Sequence, residues 1–168
     1  MHQHNYEIKG RAEMSQSSKS LSQRPYNRHP LETKHALPMA LLRARESTMA
    51  RFRPMLNAHG ISEQQWRVMR VLAEEGVLDA TDISERACIF ASSLSRIIKT
   101  LEKQSVLIRE RNTSDARRIQ LRLTPKGHQI VSEITPESLA IYADLEDKFG
   151  RDRVAELLDM LNELVALK

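Results

Sequence analysis

The chain has one cysteine among 168 residues. Cys88 alone can close no internal disulfide and build no multi-thiolate zinc site, so stability has to come from apolar burial, and a reducing compartment is expected. Long apolar runs are missing as well. No stretch approaches the roughly 18 uncharged apolar residues that would cross a bilayer, and the opening MHQHNYEIKGRAEMSQSSKS has no apolar segment of the kind that directs secretion. The expectation is a cytoplasmic protein without membrane contact. Catalytic signatures are absent too: there is no GxSxG, P-loop, HExxH or CxxC, and His, Ser and Asp show no triad spacing. No enzymatic activity, metal or cofactor is expected, and His2 and His4 are too sparse for a metal tract.

What is present, 40% hydrophobic and 29% charged residues, suits one compact domain with an appended arm. The formal charge of +4 is unevenly placed. From Arg96 to Arg122, eight basic residues (Arg96, Lys99, Lys103, Arg109, Arg111, Arg117, Arg118 and Arg122) face three acids (Glu102, Glu110 and Asp115), an excess of five. Residues 1–36 are polar, lack an apolar period, hold Pro25 and Pro30, and carry six basic residues against three acids. They are expected to form a flexible basic arm, more simply a solvated tail than a segment that touches DNA.

From Pro38 the apolar residues recur every three or four positions. Leu42, Met49, Phe52 and Leu56, with Arg45 on the same stripe, predict a helix that Gly60 stops. Ser62 and Gln65 form a capping box ahead of a second helix through Trp66, Val68, Met69 and Leu72, ending near Gly76. A third, short helix is expected from near Asp79 or Thr81, holding Ile83 and Ala87. A fourth opens at Ala91-Ser92-Ser93, with Leu94, Ile97, Ile98 and Leu101 in helical register. The period then drops to two. Residues 106–108 and 119–123 read as strands joined through Asn112-Thr113-Ser114-Asp115. Thr124-Pro125 caps a further helix to Phe149, with a kink expected at Pro136, and a last helix runs from about Arg151 to Leu167. The order is α-α-α-α-β-β-α-α. Leu139, Tyr142, Leu145, Val154, Leu157, Leu158, Leu161, Leu164 and Val165 put more apolar surface on the last two helices than a monomer should expose.

Three short helices and a hairpin, with the last of those helices and the hairpin both basic, is the arrangement of a winged helix-turn-helix. A recognition helix must bury one face and offer the other to the major groove. Leu94, Ile97, Ile98 and Leu101 supply the first face. Ser92, Ser93, Ser95, Arg96 and Lys99 supply the second, for phosphates and base edges. Arginine at a hairpin tip suits the narrow, electronegative minor groove, and Arg117 and Arg118 follow the turn. A solvated helix face is the competing explanation; helix, hairpin and local charge together favour DNA.

At these residues the sequence resembles the MarR family of bacterial transcription regulators, over residues 37–168. Leu101-Glu102-Lys103, Asp115-x-Arg117-Arg118 and Leu123-Thr124-Pro125-Lys126-Gly127 follow the family's recognition-helix end, wing tip and post-wing helix start in order and spacing. The resemblance implies a mainly α fold with a small β-wing: an intertwined homodimer with dimerisation helices in 37–60 and 125–168 and a winged helix-turn-helix in 61–124. It implies that Asp115 orients Arg117 into the minor groove of a pseudo-palindromic operator. Ser105 stands where the family usually has Gly, so the turn after the recognition helix is made by a less permissive residue. Met39-Ala-Leu-Leu-Arg-Ala-Arg-Glu, Phe52-Arg-Pro, Leu56-Asn-x-His-Gly60, Glu63-Gln-Gln-Trp-Arg67 and Ala87-Cys-Ile resemble the branch that represses homoprotocatechuate (3,4-dihydroxyphenylacetate) catabolism. That likeness implies a repressor released by a small aromatic acid or its coenzyme A thioester.

The residues give an independent argument for an anionic effector. A guanidinium on an apolar stripe needs a partner. For Arg45 that partner is either an effector carboxylate, or an internal acid such as Glu46 or Glu63, or solvent reached by snorkelling. Arg53 and His59 flank the region, and Trp66 is a candidate aromatic wall, although a Trp on an apolar face is more often core. Two alternatives stand beside this function: a ligand-independent architectural module on the same basic face, and oxidant sensing through Cys88, for which an inert packed thiol is the simpler expectation.

Overall fold

A computed structural model describes residues 36–111 and 119–167. Its elements are α1 (Leu37–Ala58), α2 (Glu63–Glu75), β1 (Leu78–Asp79), α3 (Ala80–Arg86), α4 (Ala91–Lys103), β2 (Leu107–Arg111), β3 (Ile119–Leu123), α5 (Pro125–Phe149) and α6 (Arg151–Ala166). By its internal contacts the chain separates into one unit ending at Arg45 and another of Glu46–Lys168, a boundary that falls within α1.

The caps read from sequence form as hydrogen bonds. Ser62 Oγ accepts from Gln65 N at 3.2 Å while Gln65 Oε1 accepts from Ser62 N at 2.8 Å, closing the box at the start of α2. Asp79 Oδ1 accepts from Thr81 N and Asp82 N, both at 2.9 Å, and starts α3. Thr124 Oγ1 accepts from Gly127 N at 3.1 Å, with Pro125 in the first turn of α5. Gly60 ends α1 with φ +67°, as a left-handed stop requires. Helix α5 carries on through Pro136, which removes the donor that would meet the Ser132 carbonyl.

The sheet is antiparallel in the order β1-β3-β2, with Leu78 opposite Leu121 and Leu107 opposite Leu123. Strand β1 is an addition to the expected order, since two residues are too short to display a period. β2 starts one residue later than the periodicity suggests and runs to Arg111.

The core of the second unit lies between α2, α4 and the wing. Val68, Met69, Leu72, Ile83, Leu94, Leu101, Val106, Leu107, Leu121 and Leu123 are all at most 2% exposed. Burying each such side chain is worth about 1.5–3 kcal/mol against leaving it in water. Phe52, Met55 and Leu56 of α1 and Ile134 of α5 join the same cluster. Helices α1 and α5 also meet through Arg51–Asp144 at 3.0 Å, and the Phe52 and Tyr142 rings lie 5.0 Å apart.

The turn after α4 uses the left-handed conformation without glycine. Ser105 has φ +58°, its N–H donates to the Glu102 carbonyl at 2.8 Å, and Val106 N reaches Leu101 O at 2.9 Å. A side chain there costs about 1–2 kcal/mol, of which glycine's extra unfolded-state entropy would return about 0.5–1 kcal/mol. Ser105→Gly is therefore expected to stabilise the fold, raising Tm by about 1–4 °C; an unchanged or lower melting temperature would refute it.

Candidate nucleic-acid interface

Helix α4 separates its faces as a recognition helix must. Leu94, Ile97, Ile98 and Leu101 are buried, whereas Ser92, Ser95, Arg96 and Lys99 are exposed and Ser93 is half-buried. Ser95 Oγ donates to the Ala91 carbonyl at 3.1 Å, so its hydroxyl meets a partner as an acceptor. Among the described residues, Arg96 and Lys99 have no acidic partner.

The wing's charge is more fully committed than the residue count implies. Arg109 donates to Glu102 at 2.8 Å and Arg122 to Glu110 at 2.6 Å. The hydrogen bond from Arg122 holds the Glu110 carboxyl below the usual carboxylate range, and the same bond raises Arg122. The pair's contribution is present above the ordinary carboxylate pKa and is lost as pH falls through the lowered one. Among the described residues of 96–122, the basic side chains without an acidic partner are those on α4: Arg96, Lys99 and Lys103. Asp115, Arg117 and Arg118 lie outside the described residues.

Two positioning residues escaped the sequence reasoning. Lys126 Nζ donates to the Gln104 carbonyl at 2.8 Å, at the negative end of the recognition helix. Thr124 Oγ1 donates to the Ser105 carbonyl at 2.7 Å, so the first residues of α5 clasp the end of α4. The other is Arg67, whose Nη1 donates to the carbonyls of Ala87 at 2.7 Å and Cys88 at 3.1 Å, the turn that precedes α4. The pattern Glu63-Gln-Gln-Trp-Arg67 contains it, but only the tertiary fold reveals its acceptors.

The candidate effector residues do not share one environment. Arg45 is exposed, as are Leu41 and Leu42, which corrects the expectation of a buried charge. The stripe that carries it goes into the core only from Phe52 onward. Arg53 donates Nε to Glu63 and Nη2 to Glu46 at 2.6 Å, and the bonds to Glu46 and then Glu63 raise its pKa further. The acids weighed as partners for Arg45 thus hold Arg53. His59 Nε2 lies 2.7 Å from Glu137 Oε1, joining α1 to α5. Trp66 is 7% exposed within the core, with the Arg70 guanidinium 5.9 Å from its ring centre, so its ring packs the interior.

Cys88 is exposed, against the expectation of a packed thiol. It takes φ +50° in the turn between α3 and α4, which leaves its side chain at the surface while Ala87 and Ile89 turn inward.

A helix-turn-helix backed by a three-stranded antiparallel wing, with cations on the outward face of its second helix, defines a winged-helix DNA-binding protein. Residues 61–119, the span from α2 to the wing, match the MarR family. The chain is 40% identical over 140 residues to the HTH-type transcriptional regulator FarR of Neisseria gonorrhoeae, covering 83% of this chain and 96% of that protein. It is 34% identical over 132 residues to the homoprotocatechuate degradative operon repressor of Escherichia coli, covering 79% and 89%. Its fold matches that of NadR in complex with 4-hydroxyphenylacetate at TM-score 0.70 and 40% identity, over 77% of this chain and 92% of that one. The chain belongs to the MarR family of transcriptional regulators.

Proposed function

We propose that this protein is a homodimeric repressor that holds a pseudo-palindromic operator and is released from it by a small aromatic acid. The carrying observation is α4: a four-residue buried face fixes the helix while Ser92, Arg96 and Lys99 face outward on the other side. In a dimer, two such helices must sit about 34 Å apart to enter successive major grooves, with Arg117, steadied by Asp115, and Arg118 reaching the flanking minor grooves. A ligand that binds better to a dimer of the wrong spacing lowers operator affinity by its differential binding energy and no more. The homoprotocatechuate repressor and the 4-hydroxyphenylacetate complex of NadR support an aromatic ring bearing a carboxylate as the effector's chemistry. Within this reading, 61–124 is the DNA-binding part, 37–60 and 125–168 are the dimerisation helices, and 1–36 is an arm.

The test is fluorescence anisotropy on DNA from upstream of the protein's own gene, with 4-hydroxyphenylacetate and 3,4-dihydroxyphenylacetate as probes. Salt-sensitive, sequence-selective binding relieved by either acid is expected. Selective binding that no aromatic acid or thioester relieves would favour the ligand-independent module.

Among the effector candidates Arg45 is the first to change. It carries the charge on the apolar stripe of α1, the feature from which an anionic effector is argued. Arg45→Gln is expected to leave operator affinity within about twofold while raising the acid concentration needed for release about 10–100-fold, the worth of one charge-assisted hydrogen bond. Release at the parent concentration would exclude Arg45 and move the test to Arg53 and His59.

A further inference from the structure

The residue that begins the recognition helix is an exposed phenylalanine. Phe90 occupies the N-cap of α4 with φ −60° and ψ 140°, makes no capping hydrogen bond through its side chain, and is 87% exposed. N-caps are ordinarily Ser, Thr, Asp or Asn, whose side chains bond the first amides, and Phe does nothing for helix initiation. Nor does the ring contribute to this chain's core. Its position therefore sacrifices both a cap and about the full hydrophobic gain of burying an aromatic ring.

The backbone that carries the ring is fixed. Arg67 Nη1 donates to the carbonyls of Ala87 and Cys88 at 2.7 and 3.1 Å, and Ser84 Oγ to that of Ile89 at 2.6 Å. Ile89 N reaches Ser84 O at 3.0 Å, and the Phe90 carbonyl accepts from Leu94 N at 2.9 Å. Four consecutive carbonyls, from Ala87 to Phe90, are thus held from within the winged helix. The residues that follow are small, Ala91, Ser92 and Ser93, so nothing on the helix end shields the ring from an approaching surface.

We infer that Phe90 is a specificity-determining residue that reads thymine in the operator by packing against its C5 methyl group. This rests on the DNA-binding role proposed above. The N-terminal residues of a recognition helix are those that meet base edges. The thymine methyl is the apolar group on the major-groove floor, and Phe is among the side chains suited to it. Ser92, Arg96 and Lys99 offer only polar contacts along the helix, so Phe90 at its N-terminal end adds a discrimination that they cannot supply.

A random duplex library is selected on the full chain and on Phe90→Ala, with circular dichroism confirming that the exposed substitution leaves the melting temperature unchanged. The parent protein is expected to enrich a T·A pair in each half-site that Phe90→Ala does not enrich. Resynthesising the selected duplex with deoxyuridine at that thymine removes only the methyl group. Parent affinity should then fall about fourfold per methyl removed, the worth of one buried methyl, while Phe90→Ala should bind both duplexes equally. Sequence-selective binding by the parent that is indifferent to deoxyuridine, or identical selection by Phe90→Ala, overturns the role of Phe90 and leaves the DNA-binding function standing. A parent protein that selects no sequence removes the DNA-binding function itself, and the inference with it.

Discussion

Leu158→Glu combined with Val165→Glu is expected to convert the protein into a folded monomer that no longer holds its operator. Helix α6 has no buried residue along its 16 positions, although Leu157, Leu158, Met160 and Val165 are 41%, 54%, 52% and 82% exposed. Leu139, Tyr142 and Phe149 on α5 are exposed at 61%, 46% and 41%. Apolar surface of this extent is what the second copy of the proposed dimer would cover. Leu158 and Val165, seven residues apart, lie on one face of α6, so two carboxylates there would meet the partner's apolar side chains or each other's charge. Neither residue helps to bury this chain's own core, and the winged helix should keep its melting transition. Operator affinity should nevertheless fall by about a thousandfold, because two half-sites held together gain an effective concentration in the millimolar range that separate domains lack. Light scattering decides the premise. A parent protein of 19.3 kDa at micromolar concentration would remove the dimer, and a double variant that stayed dimeric would place the interface elsewhere.

Where one face of an element is buried within the chain, periodicity in the sequence identified it: the four inward residues of α4, the alternation that buries Leu121 and Leu123 while Ile119 stays exposed, and the caps at Ser62, Thr124 and Gly60. What periodicity does not carry is which apolar stripe finds a partner in the same chain. Arg45 lies on the same apolar stripe as Phe52, yet the stripe is exposed at Leu42 and buried only further along. Pairing across the fold was equally hidden. The basic count over 96–122 is correct as arithmetic, but Glu102 and Glu110 lie where they meet Arg109 and Arg122, so the field facing outward differs from the sum. Arg67 and Lys126 act on carbonyls 20 and 22 residues away, and an acceptor that every residue possesses leaves no mark in a sequence. The short strand β1 and the exposure of Cys88 are likewise consequences of tertiary geometry rather than composition.

Gly127→Ala is expected to be among the most destabilising single-methyl changes in the protein, and for a reason that has nothing to do with backbone conformation. Gly127 is buried in the first turn of α5, where alanine would ordinarily gain about 1 kcal/mol in helix propensity. A Cβ there, however, would lie 2.3 Å from the Val106 carbonyl oxygen and 3.1 Å from Leu123 Cδ2. The carbonyl cannot retreat freely. It accepts from Thr124 N at 3.0 Å, and Val106 and Leu123 are each 2% exposed. The residue that leads into the wing, Val106, and the last residue of the wing, Leu123, therefore converge with the start of α5 on the space that glycine leaves open. Relieving the clash means moving α5 away from the wing, an overpacking cost of about 3 kcal/mol that should exceed the propensity gain by about 2 kcal/mol and lower Tm by about 4–8 °C. Operator affinity should fall with it, since Thr124 and Lys126 would lose their hold on the Ser105 and Gln104 carbonyls behind α4. Gly60→Ala is the control. No atom lies within 4 Å of its added methyl, so only the φ of +67° opposes it, at about 1–2 kcal/mol, and its DNA contacts should be spared. Melting both variants at the same protein concentration keeps the contribution of self-association constant. If Gly127→Ala melted with the parent protein, the close packing of α5 on the wing would not be what sets the recognition helix in place.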